Sequence, residues 1–141
     1  MRLVPVIIAA MLLSACGDEP RPRRQDPSRQ NPPSKGVIDI PAENQVVGPS
    51  IIVGGWAIDE SGIDRVRIYA DDRLVASVPL TGARPDVEKI FPGYGPPGTL
   101  HGWGAEVDFG DKVGYTTLRA EALDKNGALT RFANVTVQVQ Q

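Results

Sequence analysis

Along the last hundred residues apolar side chains recur at every second position, and no long window repeats at three or four. Residues 63–70 (IDRVRIYA) put Val66, Ile68 and Ala70 on one side and Arg65, Arg67 and Tyr69 on the other. A period of two with one wet face describes a half-buried strand. The same alternation places Trp103, Ala105 and Val107 together in 102–108, Leu118, Ala120 and Ala122 in 115–123, and Val135, Val137 and Val139 in 133–140. Shorter runs at 37–40, 51–58 and 74–78 complete the set. Asp71-Asp72 reads as a tight turn between 63–70 and 74–78, and Asn126-Gly127 ends a turn before the last run. About seven short strands with turn signals between them predict an all-β fold, a two-sheet sandwich spanning residues 36–141. Trp56, inside the apolar run 51–58, is expected in its core.

The N-terminal residues follow different rules. Arg2 precedes an uncharged apolar run at 3–13 (LVPVIIAAMLL). A membrane-crossing helix needs roughly 20 apolar residues, so this run has the length of a signal-peptide core instead. It ends in Leu13-Ser14-Ala15-Cys16. An aliphatic residue, two small ones and Cys resemble the lipobox of bacterial lipoproteins. That resemblance implies a signal peptide at 1–15, cleavage before Cys16 and acylation of Cys16 as the membrane anchor. In that family Asp directly after the Cys favours the inner membrane; Gly17 stands there, so the outer membrane of a two-membrane envelope is the expected location.

Residues 17–35 (GDEPRPRRQDPSRQNPPSK) hold no aliphatic or aromatic side chain. Such a stretch buries too little apolar area to offset its ordering entropy, so 16–35 is expected to be a disordered tether. It would reach on the order of 25 Å as a flexible coil and about 60 Å if extended. It carries a net charge of +2, whereas 36–141 carries −5.

Composition narrows the chemistry. The whole chain has a net charge of −2, which disfavours nucleic acid as a partner. Its single Cys forms no intrachain disulfide, and its single His leaves the usual zinc sites and catalytic triads without members. No cofactor is implied. Asp59, Glu60 and Asp64, and Asp124 with Asn126, are oxygen-rich turns, but neither has a recognised calcium-loop spacing. No pair of acids is singled out for glycosidase chemistry.

The stretch Gly54-Gly55-Trp56-Ala57-Ile58-Asp59, then Gly62-Ile63, then Val66-Arg67-Ile68-Tyr69-Ala70-Asp71, resembles bacterial immunoglobulin-like modules. Gly114, Thr117, Leu118, Ala120, Ala122, Asp124 and Gly127 match their penultimate strand, and Arg84-Pro85-Asp86-Val87 with Phe91-Pro92-Gly93 resembles a loop of one branch. Asp72 stands where the hairpin usually has Gly. The resemblance implies a non-catalytic, extracellular immunoglobulin-like sandwich that acts as a spacer or a binding module.

The connection 79–103 is long for a compact domain, and such loops are usually functional. Pro85 could open one or two helical turns through Phe91. Arg84, Asp86, Tyr94, His101 and Trp103 are the candidate ligand-binding residues, because aromatic faces with a few polar groups suit sugar or peptide recognition. Tyr94, between Gly93 and Gly95, is expected to be exposed, Phe91 to be the loop's buried anchor, and His101 to lie at the surface. The partners expected are the membrane, through Cys16, and an envelope protein bound through a sheet edge or this loop; the alternative is a glycan held by the loop.

Overall fold

A computed structural model describes residues 31–141. The lipobox, Cys16 and most of the tether lie outside the described residues. Among the described residues eight strands form: β1 (Lys35–Ile40), β2 (Val46–Val47), β3 (Ser50–Ile58), β4 (Ile63–Ala70), β5 (Arg73–Val78), β6 (Gly102–Asp108), β7 (Gly114–Asp124) and β8 (Leu129–Val139). One short helix, α1 (Pro85–Ile90), stands between β5 and β6. The strands make a three-stranded sheet, β1-β3-β6, and a five-stranded sheet, β2-β8-β7-β4-β5. Every pairing is antiparallel except that of β2 with β8. This is the two-sheet β-sandwich that the alternation predicts, with the immunoglobulin-like architecture that the resemblance implies. Among the described residues no helix is long and apolar enough to cross a membrane.

The core lies between the sheets and consists of the inward half of each alternation. Val53 and Ala57 of β3 and Trp103, Ala105 and Val107 of β6 face Val66 and Ile68 of β4, Leu118 and Ala120 of β7, and Val135, Val137 and Val139 of β8. Burying a Val contributes roughly 1.5 kcal/mol or more. A one-residue slip of β8 would expose three valines at once, a cost of about 5 kcal/mol. That rivals the whole stability of a domain, so the register is fixed.

Turn chemistry sets the hairpins. Asp71 and Asp72 both adopt positive φ, 44° and 69°, joining β4 to β5 with a bulge at Ile68/Tyr69. Left-handed backbone is unfavourable for most side chains, and here bonds from the neighbouring strand β7 to both Asp side chains offset part of the cost. The Asp71 carboxylate accepts from Thr117 N–H at 3.0 Å, and Asp72 accepts from Arg119 Nη1 at 2.5 Å.

Two expectations change. The end of the stretch expected as tether belongs to the fold: Lys35 opens β1, Ser34 is buried and donates to Asp59 Oδ2 at 2.7 Å, and Asn31 donates to Asp124 Oδ2 at 2.9 Å. These contacts are polar, which an argument from apolar area does not register. Trp56 is not in the inter-sheet core. It pairs with Gly102 and Val37, opposite in parity to Val53 and Ala57, and so stands on the outer face of the three-stranded sheet.

Candidate functional site

The outer face of the three-stranded sheet is unusually bare. Where β3 and β6 pair, Gly54 lies opposite Gly104 and Trp56 opposite Gly102, so three of these four outward positions have no side chain. The result is a shallow trough of about 410 Å³. Its floor is Gly54, Gly102 and Gly104; Ile40 and Ile52, each about half exposed, stand along it. A Cβ built on Gly104 would meet nothing within 4 Å, so the space above it is open. Glycine weakens a strand unless something approaches the backbone closely.

The 79–103 connection closes one end of the trough. Gly82 bridges to Gly102 across the β6 edge, with Gly102 N–H donating to Gly82 O at 2.8 Å. From there the chain folds over the sheet. The Gly102 Cα lies so close that a Cβ there would sit 3.1 Å from Arg84 Cγ. Pro85 occupies the first turn of α1, and Val87, 2% exposed, is the residue that anchors the helix. Ile90 points to solvent.

Arg84 holds this corner together. Its Nε and Nη2 donate to the two Asp86 carboxylate oxygens at 2.9 and 2.8 Å, and Nη1 donates to Asp39 Oδ2 on β1 at 2.7 Å. A planar guanidinium suits such a paired grip. The bond to Arg84 pulls the Asp86 carboxyl down to about 2, and the two carboxylates, Asp86 foremost, hold the Arg84 guanidinium more firmly protonated than usual. Arg84 and Asp86 therefore fasten the loop across the sheet, and the Arg84 charge is balanced at the trough's edge.

The aromatic side chains form a row beside this corner. Phe91 stacks at a tilt on Trp56, with ring centroids 5.4 Å apart, and Tyr94 meets Phe91 edge-on at 6.3 Å. All three are half-buried. This corrects two expectations: Tyr94 is not projected freely, because the glycines beside it let the chain fold back onto Phe91, and Phe91 shares the anchoring with the more deeply buried Val87.

The remaining candidates separate. His101 is buried, not at the surface: it keeps the inward parity of Trp103 and Ala105, and its carbonyl accepts from Ala57 N–H at 2.9 Å. With Tyr94 it lines a second cavity of about 310 Å³ at the end of the sandwich, together with Asp59 and Lys125. Trp103 is 4% exposed and packs edge-on against Phe132 at 6.2 Å inside the core. Its side chain is unavailable to a ligand, as its place in the inward alternation with Ala105 and Val107 already implied. The five candidates thus form no single site: Arg84 borders the trough with Asp86 bonded behind it, Tyr94 and His101 line the second cavity, and the Trp103 ring lies in the core.

The buried acids are turn caps. Asp59 Oδ1 accepts from the N–H and hydroxyl of Ser61 at 2.8 and 2.6 Å. Asp124 Oδ1 accepts from Asn126 and Ala128 N–H at 2.8 and 2.9 Å. Burial raises the Asp124 pKa, but the bonds from Asn31 and these amides outweigh it and hold the carboxyl below its ordinary value.

No family model matches the chain, and no curated protein matches it significantly. Among solved structures it is similar to the fibronectin(III)-like modules of Clostridium thermocellum CbhA, with 18% identity and a TM-score of 0.52 over 74% of this chain and 93% of that one. A lytic polysaccharide monooxygenase from Jonesia denitrificans is more remote, with 12% identity and a TM-score of 0.46 over 71% of this chain and 60% of that one. The first likeness shows the fold.

Proposed function

We propose that the chain is a lipid-anchored, non-catalytic module of the cell envelope that holds a partner protein against the outer face of its three-stranded sheet. The trough carries this reading. Gly54, Gly102 and Gly104 leave a bare floor between exposed Ile40 and Ile52 on an otherwise regular sandwich. The Leu13-Ser14-Ala15-Cys16 lipobox supports the anchor. At about 0.8 kcal/mol per buried CH₂, the several acyl chains such a Cys receives would anchor stably where one would not.

The row Trp56–Phe91–Tyr94 favours a second reading, a glycan partner, since half-buried rings can stack on sugar faces. Pull-down by the full chain from detergent-solubilised envelope, run beside a glycan array, separates the two. A protein recovered by the wild type and lost with Gly104→Val, but kept with Thr117→Ala on the opposite sheet, is the expected result. Glycan binding lost with Tyr94→Ala and no protein recovered would favour the second. The anchor is tested by metabolic labelling: Cys16→Ser should abolish incorporation of a fatty-acid analogue, and a labelled variant would contradict it.

A further inference from the structure

The trough opens onto the free edge of β6, and that edge has unused backbone groups. In an antiparallel pair, alternate residues turn their N–H and C=O toward the partner and the others turn them away. Ala57 N–H donates to His101 O, so Gly55–Trp103 and Val53–Ala105 face each other, and Gly102, Gly104 and Glu106 face outward. Gly102 confirms the phase: its outward groups bond to Gly82, whose N–H donates to Gly102 O at 3.0 Å. Beyond it the connection has left the edge. Among the described residues no backbone group pairs with the outward N–H or C=O of Gly104 or Glu106.

Side chains select what can pair there. Glu106 and Asp108 are exposed on the same face as the trough, and residues 36–141 carry a net charge of −5. The nearby cation, Arg84, is already matched by Asp39 and Asp86. β6 itself (GWGAEVD) holds no Lys or Arg, so the same edge of a second copy would bring no cation to Glu106 and Asp108 and would add its own acidic side chains. We infer that the β6 edge at Gly104–Glu106 receives an extended, basic segment of a partner protein, which adds as a further strand, lays one apolar side chain over Gly104 into the trough and sets a Lys or Arg against Glu106. Strand addition of this kind draws affinity from main-chain bonds and specificity from alternate side chains. The inference rests on the trough face being the binding face and specifies its partner.

The probe is the palindromic peptide acetyl-Thr-Lys-Thr-Ile-Thr-Lys-Thr-amide, which presents Ile flanked by Lys in either direction. It is added to the full chain in nonionic detergent, with binding read by fluorescence anisotropy and amide exchange by NMR. The Gly104 and Glu106 amides should exchange freely alone and slow by at least about tenfold with peptide. N-methylation of alternate peptide amides should abolish binding. Glu106→Lys should weaken binding about 3- to 10-fold, and a peptide with Glu in place of both Lys should restore it. Equal binding of the N-methylated peptide, or unchanged exchange at Gly104 and Glu106, would overturn the inference. If the edge stays unprotected while Gly104→Val, still folded by its melting curve, loses the envelope partner, the edge assignment fails and the face reading stands. If Gly104→Val keeps that partner, the face reading itself fails.

Discussion

Gly104 and Gly55 lie on neighbouring strands of the same sheet, yet adding one methyl group should move stability in opposite directions. Gly104→Ala removes backbone freedom from the unfolded chain, worth about 0.4–1 kcal/mol, and its Cβ would meet nothing within 4 Å. It should therefore stabilise, raising Tm by about 2–5 °C for a domain of this size. Gly55→Ala has the same entropic benefit but drives its Cβ into the Val37 carbonyl oxygen, with the carbonyl carbon at 2.9 Å and Ile38 Cα at 3.2 Å. Backbone cannot swing aside as a side chain can, so β1 must separate from β3. A cost of about 3 kcal/mol is in line with overpacking of this severity, and Tm should fall by about 10 °C. Gly114→Ala isolates the conformational effect: there is space, but φ is 101°, and the variant should lose about 1 kcal/mol. Thermal and urea melts of the three variants decide the matter. A destabilised Gly104→Ala, or a neutral Gly55→Ala, would refute the argument. A stabilising residue at 104 that destroys binding would mean that the glycine serves the trough and not the fold.

Other substitutions should follow from burial and charge. Val87→Ala should cost about 2 kcal/mol, Phe91→Ala about 1–2 kcal/mol because its ring is only half-buried, and Ile90→Ala less than about 0.5 kcal/mol, all read by urea denaturation. The Asp124 carboxyl has its pKa lowered in the fold, so its contribution is present above the unfolded value of about 3.9 and lost as pH falls through the folded value. Asp124→Asn should lower stability at pH 7 and flatten the acid limb below about pH 4; parallel curves would contradict this. By NMR the Asp86 carboxyl should titrate at about 2, and Arg84→Ala should return it to the ordinary Asp range near 3.9; an unchanged midpoint would mean that Arg84 does not hold it.

Strands facing water on one side were legible because their alternation is a direct record of the buried face. Residues 63–70 and 102–108 have the bounds read from sequence, and the helix at Pro85 starts where a proline in the first turn suggests. Trp56 was misplaced because β3 (SIIVGGWAI) is apolar on both faces, so periodicity cannot say which face is inward. The covering comes from Phe91, which is distant in sequence. His101 was misread because it was taken as loop: it stands just before β6 and keeps the inward parity of Trp103, Ala105 and Val107, opposite buried Ala57. The two-residue β2 is too short to show any period. Asn31 and Ser34 looked like linker because their contacts are hydrogen bonds to Asp59 and Asp124, acids that stood out in the sequence only as oxygen-rich turns. The trough itself is a coincidence of register, Gly54 against Gly104, visible only once β3 and β6 are paired.

The central claim, that the outer face of the three-stranded sheet is where a partner sits, is tested most directly by photo-crosslinking in living cells. A benzophenone amino acid at Ile52, exposed beside the trough, and at Thr117, exposed on the five-stranded sheet, would report the two faces separately. The account predicts a discrete protein adduct from position 52 and none from 117; adducts from 117 with none from 52 would contradict it.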